Sequence, residues 1–146
     1  MSINKKQNLT FFLPDFESEI KIPFVKEGVS AGFPSPAGDF MEMNIDLNKE
    51  LSENILATFY IKVKGNSMID AGINDKDVLV VDRSLEPQNN KIAICFIDGE
   101  FTVKRILVEK DCLYLMPENP NYSPIKVTEE NELIIWGIVT YVIKAL

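Results

Sequence analysis

Past residue 45 the chain is written in short apolar runs separated by glycine, proline and charged turns. Ala57-Thr58-Phe59-Tyr60-Ile61-Lys62-Val63-Lys64 alternates like a strand that stops at Gly65. Val78 to Asp82 and Lys91 to Ile97 are buried-strand runs. Asp98-Gly99 separates the second of these from Glu100 to Val108, and that two-residue connection predicts a type I′ hairpin. Leu113 to Met116 and Ile125 to Val127 are short strands around a Pro117-Glu118-Asn119-Pro120 turn, and Leu133 to Ile143 supplies the last one or two strands with a bend at Trp136-Gly137. Only one stretch has helical spacing. Leu47, Leu51 and Ile55 recur at i, i+4 and i+8 behind Asp46, a plausible N-cap. Some seven short strands with one short helix near the front predict a compact, mostly β domain over residues 46–146.

The first 31 residues follow another pattern. Phe11, Phe12, Leu13, Phe16, Ile20, Ile22, Phe24 and Val25 make them apolar, while Pro14, Pro23 and Gly28 interrupt any long element. An apolar, proline-broken arm packs on something, its own domain or a partner, because a solvated tail is more polar. Residues 32–45 then read as an extended linker, rich in small residues, glycine and proline.

Composition narrows the chemistry. The chain has 146 residues, 46% of them hydrophobic, enough for one ordinary core. No apolar run approaches the roughly 20 residues that span a bilayer, and the start lacks a secretory pattern, so a soluble cytoplasmic protein is expected. The net charge of -7, without a basic block, argues against direct DNA binding, which depends on neutralising phosphates. Protein partners are expected instead. Cys95 and Cys112 have no metal-ligand spacing and read as buried thiols. Asp70, Asp75, Asp77 and Asp82 lack the EF-hand pattern and read as solvated loop acids. No metal and no cofactor is expected. Histidine is absent altogether, which removes Ser-His-Asp and Cys-His catalysis.

A serine nucleophile in such a chain needs a carboxylate or a deprotonated lysine as its base. On the strand from Glu100 to Val108, Thr102, Lys104, Ile106 and Val108 share one face, and Phe101, Val103, Arg105 and Leu107 the other. Each face carries one cation among largely apolar neighbours. Arginine does not release its proton in proteins, so Lys104 is the candidate base and Arg105 an ion-pair or rim residue. Ser67 follows Gly65-Asn66 just after a strand, on a turn where the backbone N–H groups of Asn66 and Ser67 could form an oxyanion hole. Taken alone, a serine in this position is far more often a turn or helix-cap residue, and a strand lysine more often an edge gatekeeper or snorkelled surface residue.

The flanks of these residues are more specific. Lys64-Gly65-Asn66-Ser67-Met68-Ile69-Asp70-Ala71-Gly72-Ile73-Asn74-Asp75-Lys76-Asp77 resembles the serine box of the LexA/UmuD self-cleaving Ser-Lys peptidase family. Asp98-Gly99-Glu100-Phe101-Thr102-Val103-Lys104-Arg105 resembles its lysine box. The separation of Ser67 and Lys104 in the chain also fits. Met116 to Ile125 and Trp136-Gly137-Ile138-Val139 are similar to the family's downstream segment and closing strand, so the resemblance covers residues 29–146. The fold this implies is the LexA/UmuD C-terminal β-domain.

Gly32-Phe33-Pro34-Ser35-Pro36-Ala37 resembles the segment after the cleavage point in the UmuD branch of the family. LexA-type repressors carry a helix-turn-helix domain ahead of that point, where some thirty residues stand here. The resemblance implies an SOS mutagenesis protein that cleaves itself at Ala31-Gly32, Ser67 attacking and Lys104 serving as base and then acid. It further implies stimulation by the RecA–single-stranded-DNA filament, a homodimer, and a trimmed form that joins a UmuC-type Y-family polymerase in translesion synthesis. Residues 1–31 would then be the arm removed. Ala37-Gly38 is a second Ala-Gly pair, and composition alone does not choose between them. Three other readings stand beside this one: a non-catalytic dimeric binding module of the same fold, a regulatory fragment of a LexA-like repressor, and a signal-peptidase-like enzyme, which would need a membrane anchor.

Overall fold

The computed structural model describes residues 9–14, 22–25, 31–32 and 42–146. Among them are ten strands: β1 (Leu9–Phe12), β2 (Ile22–Val25), β3 (Glu42–Ile45), β4 (Thr58–Val63), β5 (Val78–Asp82), β6 (Ile92–Ile97), β7 (Glu100–Val108), β8 (Leu113–Met116), β9 (Ile125–Val127) and β10 (Leu133–Ile143). Eight form one antiparallel sheet in the order β1-β4-β5-β10-β6-β7-β8-β9, and β2 pairs with β3 separately. The molecule is mostly β. Part of the apolar arm therefore packs on its own domain, since β1 forms the edge of the main sheet beside β4.

Strand alternation feeds two cores, one on each face of the curled sheet. On β6, Ile94 joins a cluster with Ile61, Met68, Leu79 and Val103, while Ala93, Cys95 and Ile97 join another with Ile106 and Leu115. β10 serves both by breaking its own alternation. Its register against β6 shifts between Ile135 and Gly137, so Leu133, Ile135 and Ile138 reach one core and Trp136 and Val139 the other. Gly137 sits at that shift because a side chain has no room there: a Cβ would lie 2.6 Å from Val81 Cγ1. The Asp98-Gly99 connection is the expected hairpin, with both residues at positive φ between the paired Ile97 and Glu100.

Three expectations need correction. The helix after Asp46 is a single turn, α1 (Leu47–Glu50), and the Asp46 side chain caps it by accepting from the Asn48 amide. It buries no side chain; Leu47 and Ile55 are exposed, and the segment resumes as a 3₁₀ turn at Ile55–Ala57. The apolar spacing was too short a stripe to hold a helix without a surface to cover. Two of the four acids are also not solvated. Asp77 is buried, where it accepts from the Asn74 amide and pairs with Lys144. Asp82 is buried and accepts from Asn54 and Ser84, and burial, which alone would raise its carboxyl, is outweighed by those bonds, so its pKa is lowered. Cys95 is buried as expected, whereas Cys112 is only half-buried; both are free thiols.

Candidate active site

Lys104 lies in the middle of β7 and is only 7% exposed. Ala93 faces it across the β6–β7 ladder, and its small side chain leaves room for the lysine stem. Ile106 is on the same strand face and Cys95 lies near enough to act electrostatically on the amine. These apolar walls desolvate the ammonium and hold its pKa below the ordinary 10.5; the Cys95 thiol acts weakly in the opposite sense. Burial pushes Cys95 itself up to about 12, so it stays a neutral thiol around neutral pH. Among the described residues no carboxylate pairs with Lys104 to restore its charge.

Ser67 comes from the turn after β4. Gly65 takes φ 103°, a backbone that side chains resist, and its amide donates to Asp75 Oδ1 at 2.8 Å. The following carbonyls are held by the turn after β8. Asn66 O accepts from Asn119 Nδ2 at 2.8 Å, and Ser67 O from the Glu118 amide at 2.8 Å. Glu118 O in turn accepts from the Asp70 amide at 2.8 Å, and its carboxylate pairs with Arg105. Arg105 is thus the ion-pair residue expected of it, half-exposed at the rim. The amides of Asn66 and Ser67 donate to none of the described residues.

Ser67 and Lys104, 37 residues apart in the chain, meet here: Nζ lies 3.1 Å from Ser67 Oγ. Nζ also donates to Thr102 Oγ1 at 2.7 Å and to Val103 O at 3.0 Å. They line a cleft of about 110 Å³ together with Leu9, Val63, Met68 and Tyr122. Ala31 and Gly32 are not in it. Both lie exposed in a bend, and a Cβ at Gly32 would meet nothing within 4 Å. Ala37-Gly38 falls outside the described residues.

Several participants went unnoticed in the sequence. Thr102 was placed on the face of Lys104 by alternation, but its contact with Nζ depends on the side-chain path. Glu118 and Asn119 read as ordinary turn residues, and nothing local marks them as the brace of a turn fifty residues earlier. Leu9 in the cleft wall had no signal beyond the apolarity of the arm. No group of His, Cys, Asp and Glu among the described residues is arranged to hold a metal, and no described helix is long and apolar enough to cross a membrane.

Residues 23–140 match a family described as peptidase S24-like. The chain is 42% identical over 122 residues to Protein MucA of Salmonella typhimurium, covering 82% of each chain. It is also 42% identical over 122 residues to Protein ImpA of Shigella flexneri, covering 83% of this chain and 82% of the other. A LexA repressor of Oleidesulfovibrio alaskensis is 44% identical over 81 residues, which is 56% of this chain and 39% of the repressor.

Proposed function

The chain belongs to the peptidase S24-like family, a family of self-cleaving serine peptidases, and on that premise we propose that it cuts itself once, between Ala31 and Gly32. Ser67 is the nucleophile and Lys104 the base. The reading rests above all on the 3.1 Å contact between a serine hydroxyl and a desolvated lysine amine. A neutral amine has two N–H bonds and one lone pair. Thr102 Oγ1 and Val103 O accept the two N–H groups, which aims the lone pair at Ser67.

As Ser67 Oγ bonds to the Ala31 carbonyl carbon, its proton passes to Lys104 Nζ. The amides of Asn66 and Ser67 are the donors for the oxygen that becomes negative. Lys104 then gives the proton to the Gly32 nitrogen as the Ala31–Gly32 bond breaks. Water, losing a proton to Lys104, adds to the acyl carbon, and as the bond to Ser67 Oγ breaks Lys104 passes that proton to the oxygen, which restores the serine hydroxyl and the neutral amine. For this the bend at Ala31-Gly32 must enter the cleft, and stimulation by a RecA–single-stranded-DNA filament acts on that movement.

The trimmed homodimer then serves as accessory subunit of an error-prone, UmuC-type translesion polymerase, in the SOS response to DNA damage. The extent of the match within this chain supports this mutagenesis reading over that of a repressor fragment, since MucA and ImpA match 82% and 83% of the chain and the LexA repressor 56%.

Incubation at pH about 10, which deprotonates the lysine, tests the chemistry without an activator. Mass spectrometry should find a fragment beginning at Gly32 and none in Ser67→Ala or Lys104→Ala. A fragment beginning at Gly38 would move the scissile bond, and a fragment persisting in either variant would sink the dyad.

A further inference from the structure

The N-terminal strand β1 does two things at once. Its backbone completes the sheet along β4, in the register Leu9↔Val63, Thr10↔Lys62, Phe11↔Ile61 and Phe12↔Tyr60. Its inward side chains fill two slots. Leu9, 4% exposed, packs with Val63, Met68 and Val103 and forms part of the wall around Ser67. Phe11 stands edge-on between Phe101 and Trp136, its ring centroid 5.0 Å from each. Thr10 and Phe12 point outward, as alternation requires.

Every one of these contacts is made by residues on the N-terminal side of Ala31-Gly32. In the uncut chain β1 is tethered, and tethering supplies an effective concentration on the order of millimolar. After the cut, the described part of residues 1–31 is joined to the rest by the short β1–β4 and β2–β3 ladders of four pairs each and by the Leu9 and Phe11 contacts. Occupation of the β4 edge then becomes a competition set by concentration. An uncovered β4 would present unpaired backbone groups and two apolar slots, a surface that binds extended peptides by strand addition.

We propose that the edge of β4, with the Leu9 and Phe11 slots, is a strand-docking site for an extended partner peptide of the pattern apolar–acidic–aromatic, which takes the place of β1 once the chain is cut. The first and third positions are dictated by the slots. The acidic middle position follows from Lys62, which is exposed, lies across from Thr10 and forms no ion pair among the described residues. This inference rests on the self-cleavage reading for when the site opens, but not for its existence.

The probe is a fluorescent peptide with the sequence of residues 7–14, measured by anisotropy against cut and uncut protein. Binding to the cut form should saturate at one probe per chain and be at least about 10-fold tighter than to the uncut form. Replacing the residues equivalent to Leu9 and Phe11 by alanine in the probe should cost at least about 10-fold. A glutamate in the Thr10 position should tighten binding about 2- to 5-fold at low salt, an advantage that Lys62→Glu reverses. Equal affinity for cut and uncut protein, or indifference to the two anchors, would overturn the proposal. So would a probe that binds only by dissociating a dimer, which would assign the groove to a second copy of the chain. If the chain does not cut itself, the uncut Leu9→Ala/Phe11→Ala variant provides the separate test. Its own strand lacks both anchors, so it should take up the wild-type probe at least about 10-fold more tightly than uncut wild type; no gain would refute the site regardless of the chemistry.

Discussion

Asn119 donates from its side-chain amide to the backbone carbonyl of Asn66, 2.8 Å away, and so ties the turn after β8 to the turn that carries Ser67. Its own Oδ1 accepts from the Asn121 amide, which fixes the orientation of the donor. With Asn66 O and Ser67 O both engaged by residues 118 and 119, the peptide units around Ser67 are locked before any substrate arrives. Asn119→Ala should therefore slow self-cleavage at pH 10 by about 10²-fold, the scale expected when a reacting group is misplaced by an ångström. The pH midpoint of the reaction should not move, because Lys104 is untouched. A rate loss that disappears when the assay is run further below the melting temperature would show that Asn119 supports only stability.

Thr102 acts on the other member of the pair. Thr102→Val keeps the shape and removes the oxygen 2.7 Å from Nζ. The lysine loses a partner that helps solvate its ammonium, so its pKa falls further and the rise of rate with pH should begin at lower pH. The plateau rate should drop about 10-fold because the lone pair is less well aimed. A pH–rate profile separates the two effects, and an unshifted profile would show that Thr102 does not tune the amine.

Burial of Lys104 has a stability cost as well. Because its folded pKa lies below 10.5, the unfolded chain holds the proton more tightly than the folded chain does. Stability should rise with pH between the lowered folded value and 10.5, and the deficit is present in full below that window. Lys104→Met, of similar length and without the charge, should flatten this slope and stabilise the protein at pH 7 by about 1–2 kcal/mol. Urea unfolding at pH 7 and pH 10 measures both, and a variant less stable than wild type at pH 7 would contradict the expectation.

Gly137→Ala tests the crossing of β10 between the two cores. The new methyl would fall 2.6 Å from Val81 Cγ1 and 3.4 Å from Arg83 Cγ, on a strand that is buried here. Overpacking of this kind should cost about 1–3 kcal/mol. Thermal unfolding of the Gly137→Ala protein measures it, with Trp136 fluorescence as a local reporter.

Much of this architecture was legible one residue at a time. Continuous apolar runs located the strands at Val78–Asp82 and Ile92–Ile97 within a residue, because these strands are buried on both faces, and the turn at Asp98-Gly99 located the start of Glu100–Val108. The Asp98-Gly99 turn was legible because few dipeptides accept positive φ at both positions. The helix after Asp46 was misread because three apolar residues at helical spacing do not say whether a surface exists to receive them.

For the candidate site, the sequence by itself determined the chemistry that was available. With no histidine, a serine nucleophile is left with a carboxylate or a lysine as base, and alternation favours Lys104 over Arg105 on its strand; the resemblance of the two boxes to the family is what pairs Lys104 with Ser67. Distance, desolvation and support are properties of several segments at once, and only the tertiary structure decided them. The 3.1 Å approach of Nζ to Ser67 Oγ needs β7, the turn after β4 and the brace at Glu118-Asn119 to be assembled together. The lowered pKa of Lys104 needs the core packed around its stem, with Ala93 facing it across the ladder. Leu9 reaches the cleft only because β1 folds back from more than fifty residues away to pair with Val63. Local pattern records which side chains want burial; which of them are buried together is settled by packing, whose contacts are distant in the chain.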